Sequence, residues 1–202
     1  MNNNFLSYGI PLLVTIMLLS SCAVFNGSSA RAHHYLYLDE RNDAGYALQE
    51  GNCEKAENNM LEAVEFAKVI RSKLPEVKAA GSDLAEAYKL LGHIYSDDNC
   101  KKYPEALAAY NKSIELREYI YGIDDPLYAH ALNDLAWGYY YKQKKYDTAE
   151  TMLLRAKNIY ETNPSKRENY LTMVYTNLGE VYRVQGRIQE AEEYEKKADA
   201  NR

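Results

Sequence analysis

A chain of 202 residues, 47% hydrophobic and 26% charged, is large enough for one folded domain with its own core. Its net charge of −5, with no basic stripe interleaved with aromatics, argues against nucleic-acid binding. Tyrosine supplies 20 residues, against one tryptophan and three phenylalanines, and suits helix faces whose rims meet water.

Residues 1–9 carry no Lys or Arg. Residues 10–19, IPLLVTIMLL, are apolar but too few to span a bilayer, which needs ~20. They match the hydrophobic region of a secretory signal. Leu19-Ser20-Ser21-Cys22 resembles the bacterial lipobox, where cleavage precedes the cysteine. That resemblance implies loss of residues 1–21 as a signal peptide and acylation of Cys22, with several chains holding far more firmly than one. Ala23, where inner-membrane retention would have Asp, implies the outer membrane, with the folded part facing the periplasm. Residues 22–33 then read as the lipidated cysteine and a small-polar tether, and 34–202 as the folded domain.

The rest of the chain reads as helix. Helices are expected over 35–50 and 54–72, then an irregular junction over 74–81, then a helix over 83–96 capped by Ser82. Pro104 suits a first helical turn. Ala106, Tyr110, Ser113, Ile114, Arg117 and Tyr121 follow at steps of three and four, one face of a helix over 104–121. Gly122 ends that helix, and Asp125-Pro126 pairs an N-cap with a first-turn proline. Tyr128, Ala131, Leu132, Leu135, Ala136 and Tyr139 form the next face, in a helix over 127–143. Helices over 147–162 and 166–185 follow. Asn163-Pro164 ends the first of these, and Ser165 to Glu168 has capping-box spacing. The last helix, 188–200, is rich in charge, as a terminal repeat with a polar outer face should be.

These helices repeat. Leu91-Gly92-His93-Ile94-Tyr95 precedes Tyr103-Pro104-Glu105-Ala106. Leu135-Ala136-Trp137-Gly138-Tyr139 precedes Tyr146-Asp147-Thr148-Ala149, and Leu178-Gly179-Glu180-Val181-Tyr182 precedes Ala191. The leucines step by 44 and 43 residues and the alanines by 43 and 42. The pattern resembles the tetratricopeptide repeat in the long-period variant of kinesin light chains. That resemblance implies an all-α, right-handed superhelical solenoid of about four helix-hairpin repeats. A weaker copy around Ala47 to Ala56 keeps the turn and the small residue but lacks the Leu-Gly-x-x-Tyr element, and reads as a degenerate first repeat. Ala56 and Leu91 are 35 residues apart, against 29 for the later equivalents, which predicts lengthened helices or a kink between the first two repeats.

With Cys22 acylated, Cys53 and Cys100 remain, both in turns of adjacent repeats. In such a stack equivalent turns line one edge ~10 Å apart, and the longer loop after Ser96 can close this to the ~5.5 Å a disulfide needs. A Cys53–Cys100 disulfide is expected in an oxidising compartment; the alternative is two free thiols.

No HExxH, CxxC, G-x-S-x-G or P-loop pattern occurs, and His33-His34 has no partner cluster, so no catalytic site, cofactor or metal is expected. The family's groove positions fall on Lys89 and His93 in the second repeat. In the third they fall on His130, Asn133, Asp134, Trp137, Tyr140 and Tyr141, and in the fourth on Asn177, Glu180 and Arg183. Trp137, Tyr140 and Tyr141 lie off the packing face and resemble binding hot spots, although Trp137 equally suits packing against a neighbouring first helix. The expected function is a membrane-anchored scaffold binding a protein or peptide partner, with envelope assembly a setting implied by resemblance only. The rivals are a small-molecule-binding periplasmic lipoprotein and a structural oligomer.

Overall fold

One backbone feature, a left-handed residue ahead of each second helix, recurs four times and sets the architecture. In the computed structural model, which describes residues 26–163 and 168–201, the helices are α1 (Asn26–Gln49), α2 (Cys53–Lys73), α3 (Lys78–Ser96), α4 (Tyr103–Tyr121), α5 (Pro126–Leu135), α6 (Tyr146–Thr162), α7 (Glu168–Val184) and α8 (Ile188–Ala200). A π-helical turn, Ala136–Tyr141, extends α5. The signal segment, Cys22, Pro164 and the Ser165 cap lie outside the described residues. Two residues before α2, α4, α6 and α8 stand Gly51, Lys101, Lys144 and Gly186, all at positive φ between 53° and 77°. The amide after each reaches back to close the turn: Asn52 to the Ala47 carbonyl, Lys102 to Tyr95, Lys145 to Tyr140 and Arg187 to Tyr182. These closures make four antiparallel pairs: α1–α2, α3–α4, α5–α6 and α7–α8. Three span five residues and the second, with its longer loop, spans seven; the first pair thus has the same turn as the third and fourth despite its degenerate sequence.

No pair buries its apolar face alone, and the stack does so jointly. Leu91, Leu135 and Leu178 are all buried, and Ala56, Ala106, Ala149 and Ala191 are each 0% exposed. The core runs through the array in two sets of residues, with Ile114, Tyr140 and Met152 touching both. The fold is thus a helical repeat solenoid, with no strand among the described residues. No described helix is long and apolar enough to cross a membrane.

Small residues set how closely the pairs approach. A β-carbon on Gly92 would sit 2.8 Å from the Tyr110 ring, and one on Gly138 would collide with the Tyr110 hydroxyl. Tyr110, 1% exposed, therefore fills the space between α3 and the π-helical turn, its hydroxyl 2.9 Å from His93 Nδ1 and 3.2 Å from Ser96 Oγ. The π turn has a sequence origin. From the conserved-register leucine to the turn acceptor there are four residues in the second and fourth pairs (Leu91 to Tyr95, Leu178 to Tyr182) and five in the third (Leu135 to Tyr140). The extra residue is absorbed as one wide turn, the usual form of a π-bulge.

Most helix limits agree with expectation to within two residues, but two regions differ. Helix α1 begins at Asn26, so residues 26–33 are helical rather than tether; Ala30, His33 and Tyr37 are buried, His33 edge-on to Phe66 of α2. Helix α3 begins at Lys78, and Ser82 lies inside it rather than capping it. Gly81, read as part of an irregular junction, is a buried contact whose absent side chain admits Ile120 of α4. The six extra residues between the first two repeats are spent on longer helices, α2 having 21 residues and α3 having 19. The α5 start is as expected, with Asp125 accepting from the Leu127 amide at 2.7 Å ahead of Pro126.

Cys53, at the start of α2, and Cys100, in the α3–α4 turn, form a disulfide with a Cα–Cα distance of 5.5 Å. It ties the turns of the first two pairs, and Glu57 adds to the tie by accepting from Tyr95 and Lys102. Reduction should lower stability by about 2–4 kcal/mol, seen as a lower urea midpoint in dithiothreitol than under oxidising conditions. Gly138→Ala should cost about 1–3 kcal/mol by overpacking against Tyr110; adding Tyr110→Phe, which removes the clashing oxygen, should cost less than the sum of the two single changes in the same urea assay.

Candidate peptide-binding groove

The first helices of the pairs, α1, α3, α5 with its π turn, and α7, meet one another through polar side chains. His34 Nδ1 on α1 lies 3.3 Å from Asp83 on α3. Asn177 on α7 donates to Asn133 Oδ1 on α5 at 2.8 Å, and Asn133 Nδ2 lies 3.7 Å from the Met173 sulfur. The Tyr141 hydroxyl donates to Glu180 at 3.0 Å.

Asp134 is the most confined charge in the row, 8% exposed, with His130 Nε2 3.2 Å from its carboxylate one helical turn away. Burial pushes its pKa up, but the His130 hydrogen bond and the charges of His130, His93 and Lys89 outweigh burial and hold the carboxyl below its ordinary range. Burial pulls His93 the other way, lowering its pKa despite the nearby Asp134 carboxylate. Lys89 is paired with Glu86, which also receives Arg117 of α4 at 2.8 Å. Arg117 is 3% exposed and donates to the Leu127 carbonyl as well, so it links α3, α4 and α5 from inside the stack. Lys89 is therefore committed within the protein, not presented as a lone cation for a terminal carboxylate.

The aromatic residues divide. Trp137 stacks on Tyr141, ring centroids 4.2 Å apart and 16° from parallel, both half-buried. They make one flat apolar plate between α5 and α7, with the Glu180 carboxylate at its edge. Tyr140 is elsewhere. The one-residue π insertion gives it the place of Tyr95 and Tyr182, so it packs against both core sets, edge-on to Tyr139 at 5.0 Å. Arg183 also turns from the row, bonding Glu195 of α8. The structure thus brings together Lys89, His93, His130, Asn133 and Asp134, and beside them Trp137, Tyr141, Asn177 and Glu180; Tyr140 and Arg183 are not among them. Met173, Glu86 and the Tyr110 hydroxyl belong to the same surroundings. Only Tyr110 had a sequence signal, its place on the apolar face of its helix.

Among the described residues, the one grouping with metal-like proximity is Cys53, Asp97 and Cys100, and its two sulfurs are already bonded to each other. His33 and His34 diverge, one bonding the Ser29 carbonyl and the other pairing with Asp83.

The lowered His93 pKa has a measurable consequence. Between its folded pKa and the ordinary 6.5 the unfolded chain binds more protons, so the His93 contribution is whole above pH 6.5 and is lost as pH falls below it. Urea denaturation from pH 7.5 downward should show this loss, and His93→Gln should flatten the slope in the window just below pH 6.5.

Comparison with known proteins agrees with this geometry. A family model described as tetratricopeptide repeat matches residues 83–162 and 138–198. BtubC (BKLC) from P. vanneervenii is similar in fold, with 23% identity and a TM-score of 0.57 over 78% of this chain and 62% of that one. A putative kinesin light chain with nearly identical TPR-like repeats from Podosopora anserina matches with 20% identity and a TM-score of 0.56, over 80% of this chain and 72% of that one. This chain therefore spans less than two thirds of BtubC. No curated protein sequence matches it. A stack of four pairs, each with a positive-φ residue ahead of its second helix, small residues at equivalent contacts and a matching family model over more than half of its length places the chain in the tetratricopeptide repeat family of protein–protein interaction scaffolds.

Proposed function

We propose that this protein is a bacterial envelope lipoprotein, anchored through acylated Cys22 and facing the periplasm, whose first-helix groove binds a protein or peptide segment. The observation that carries the reading is the Trp137–Tyr141 plate beside Glu180 and the buried Asn133–Asn177 pair. A flat, half-buried aromatic surface next to preset hydrogen-bonding groups recognises a chain at little ordering cost, because the scaffold is already in place. The Cys53–Cys100 disulfide suits an exported protein, since such bonds persist outside the reducing cytosol. The lipobox-like Leu19 to Cys22 supports the anchor.

Trp137→Ala with Tyr141→Ala removes the plate; because Tyr141 also packs against the core of the last two pairs, the folded state of the double variant is checked alongside binding. Each truncation of a hot-spot aromatic costs roughly 2 kcal/mol or more of binding energy. Crosslinking of the full chain in membranes should therefore capture a partner that the double variant loses, while both show the same helical circular dichroism. Identical partners for both proteins would remove the groove from the binding mechanism.

A further inference from the structure

The edge of the solenoid that carries the start of α1 also carries exposed apolar side chains flanked by cations, and we infer that this edge rests on the lipid headgroups. The inference depends on the Cys22 anchor proposed above.

The argument starts from helix length. Counted back from the equivalent turn acceptors Ala47, Tyr95, Tyr140 and Tyr182, the first helices extend 21, 17, 14 and 14 residues. At 1.5 Å per residue, α1 projects ~6 Å beyond α3 on the edge where the pairs connect to one another. The His34–Asp83 contact fixes the two helices side by side, so this projection is real in space. Cys22 precedes Asn26 by four residues, a reach of at most ~14 Å even if extended. An acyl anchor at Cys22 therefore holds the connecting edge, not the opposite one, close to the bilayer.

That edge is suited to the contact. Val77, in the α2–α3 connection, is 43% exposed; Tyr119 near the end of α4 is 79% exposed; Ile123, just after α4, is 46% exposed. The Arg71 guanidinium lies 6.0 Å from the Tyr119 ring, and the Lys78 ammonium 5.8 Å from the Tyr121 ring. Tyrosine is a group enriched at the boundary between water and hydrocarbon, exposed aliphatic side chains gain by leaving water there, and cations add attraction to anionic lipid. Glu76, Glu118 and Asp124 share the edge and keep its own affinity low. A weak surface suffices, because a short tether makes the contact intramolecular and raises its effective concentration to the millimolar range. The helices then stand along the bilayer normal, and the groove across α3, α5 and α7 runs parallel to the membrane.

Full-length acylated protein carrying Trp137→Phe and a single new reporter, Tyr119→Trp or Ile188→Trp, tests this in phosphatidylethanolamine–phosphatidylglycerol vesicles with brominated acyl chains. Ile188 is 46% exposed and begins α8, on the opposite edge. Contact predicts a several-fold larger fluorescence loss at 119 than at 188. Lipid on Cys22, read by mass, together with equal quenching at the two positions, or greater quenching at 188, overturns the orientation and leaves the anchor standing. Cys22 without lipid in the membrane fraction overturns both. Concentration-dependent shielding of residue 119 from acrylamide in detergent assigns the edge to a second copy of the chain and overturns the lipid contact.

Discussion

The ring of Tyr110 occupies space that two β-carbons would otherwise fill. Gly92 on one side and Gly138 on the other let it pass between α3 and the π-helical turn, so the second and third pairs share one interior. A wedge of this kind is unforgiving, because protein interiors are packed like crystals and a single added carbon has nowhere to go. It also does chemical work. Its hydroxyl meets His93 and Ser96, so the apolar contact that joins two repeats also sets the position of a groove histidine. Stability and the candidate binding surface thus rest on the same side chain.

The candidate groove is polar where a solenoid interior is oily, and its polar groups are paired within the protein. Asp134 has His130, Asn133 has Asn177, and Glu86 has Lys89 and Arg117. Pairing offsets the cost of burying charge that a bare carboxylate would carry. A surface so arranged offers shape and a few oriented groups more than free charge, and the stacked Trp137 and Tyr141 supply its apolar area. The disulfide holds the opposite edge of the first two pairs, so the curvature at that end of the array is covalently restrained.

Much of the fold was legible in the residues. The recurring leucines and alanines, the Asp125-Pro126 start and the terminal charged helix all express local rules of periodicity and capping, which is why they transferred to the structure. The candidate groove was legible in part: Asn133, Trp137 and Asn177 lie together, whereas Tyr140 and Arg183 turn away. The cause is helix rotation. One inserted residue, taken up as a π turn, moves Tyr140 into the core, and Arg183 follows the Gly179 face toward Glu195. Residues 26–33 misled for a different reason, since Asn-Gly-Ser-Ser resembles a linker, whereas in the fold Ala30 and His33 are buried and His33 meets Phe66 of α2.

By itself the sequence determined the number of repeats, their helical character and the spacing of their contacts, because each is a consequence of period, small residues and turn chemistry within a short stretch of chain. Only the tertiary structure decided how far α1 extends, where the wide turn falls and which aromatic side chains face one another. Those depend on what neighbouring helices leave open, as Phe66 does for His33 and Gly138 does for Tyr110, and no local rule carries that information.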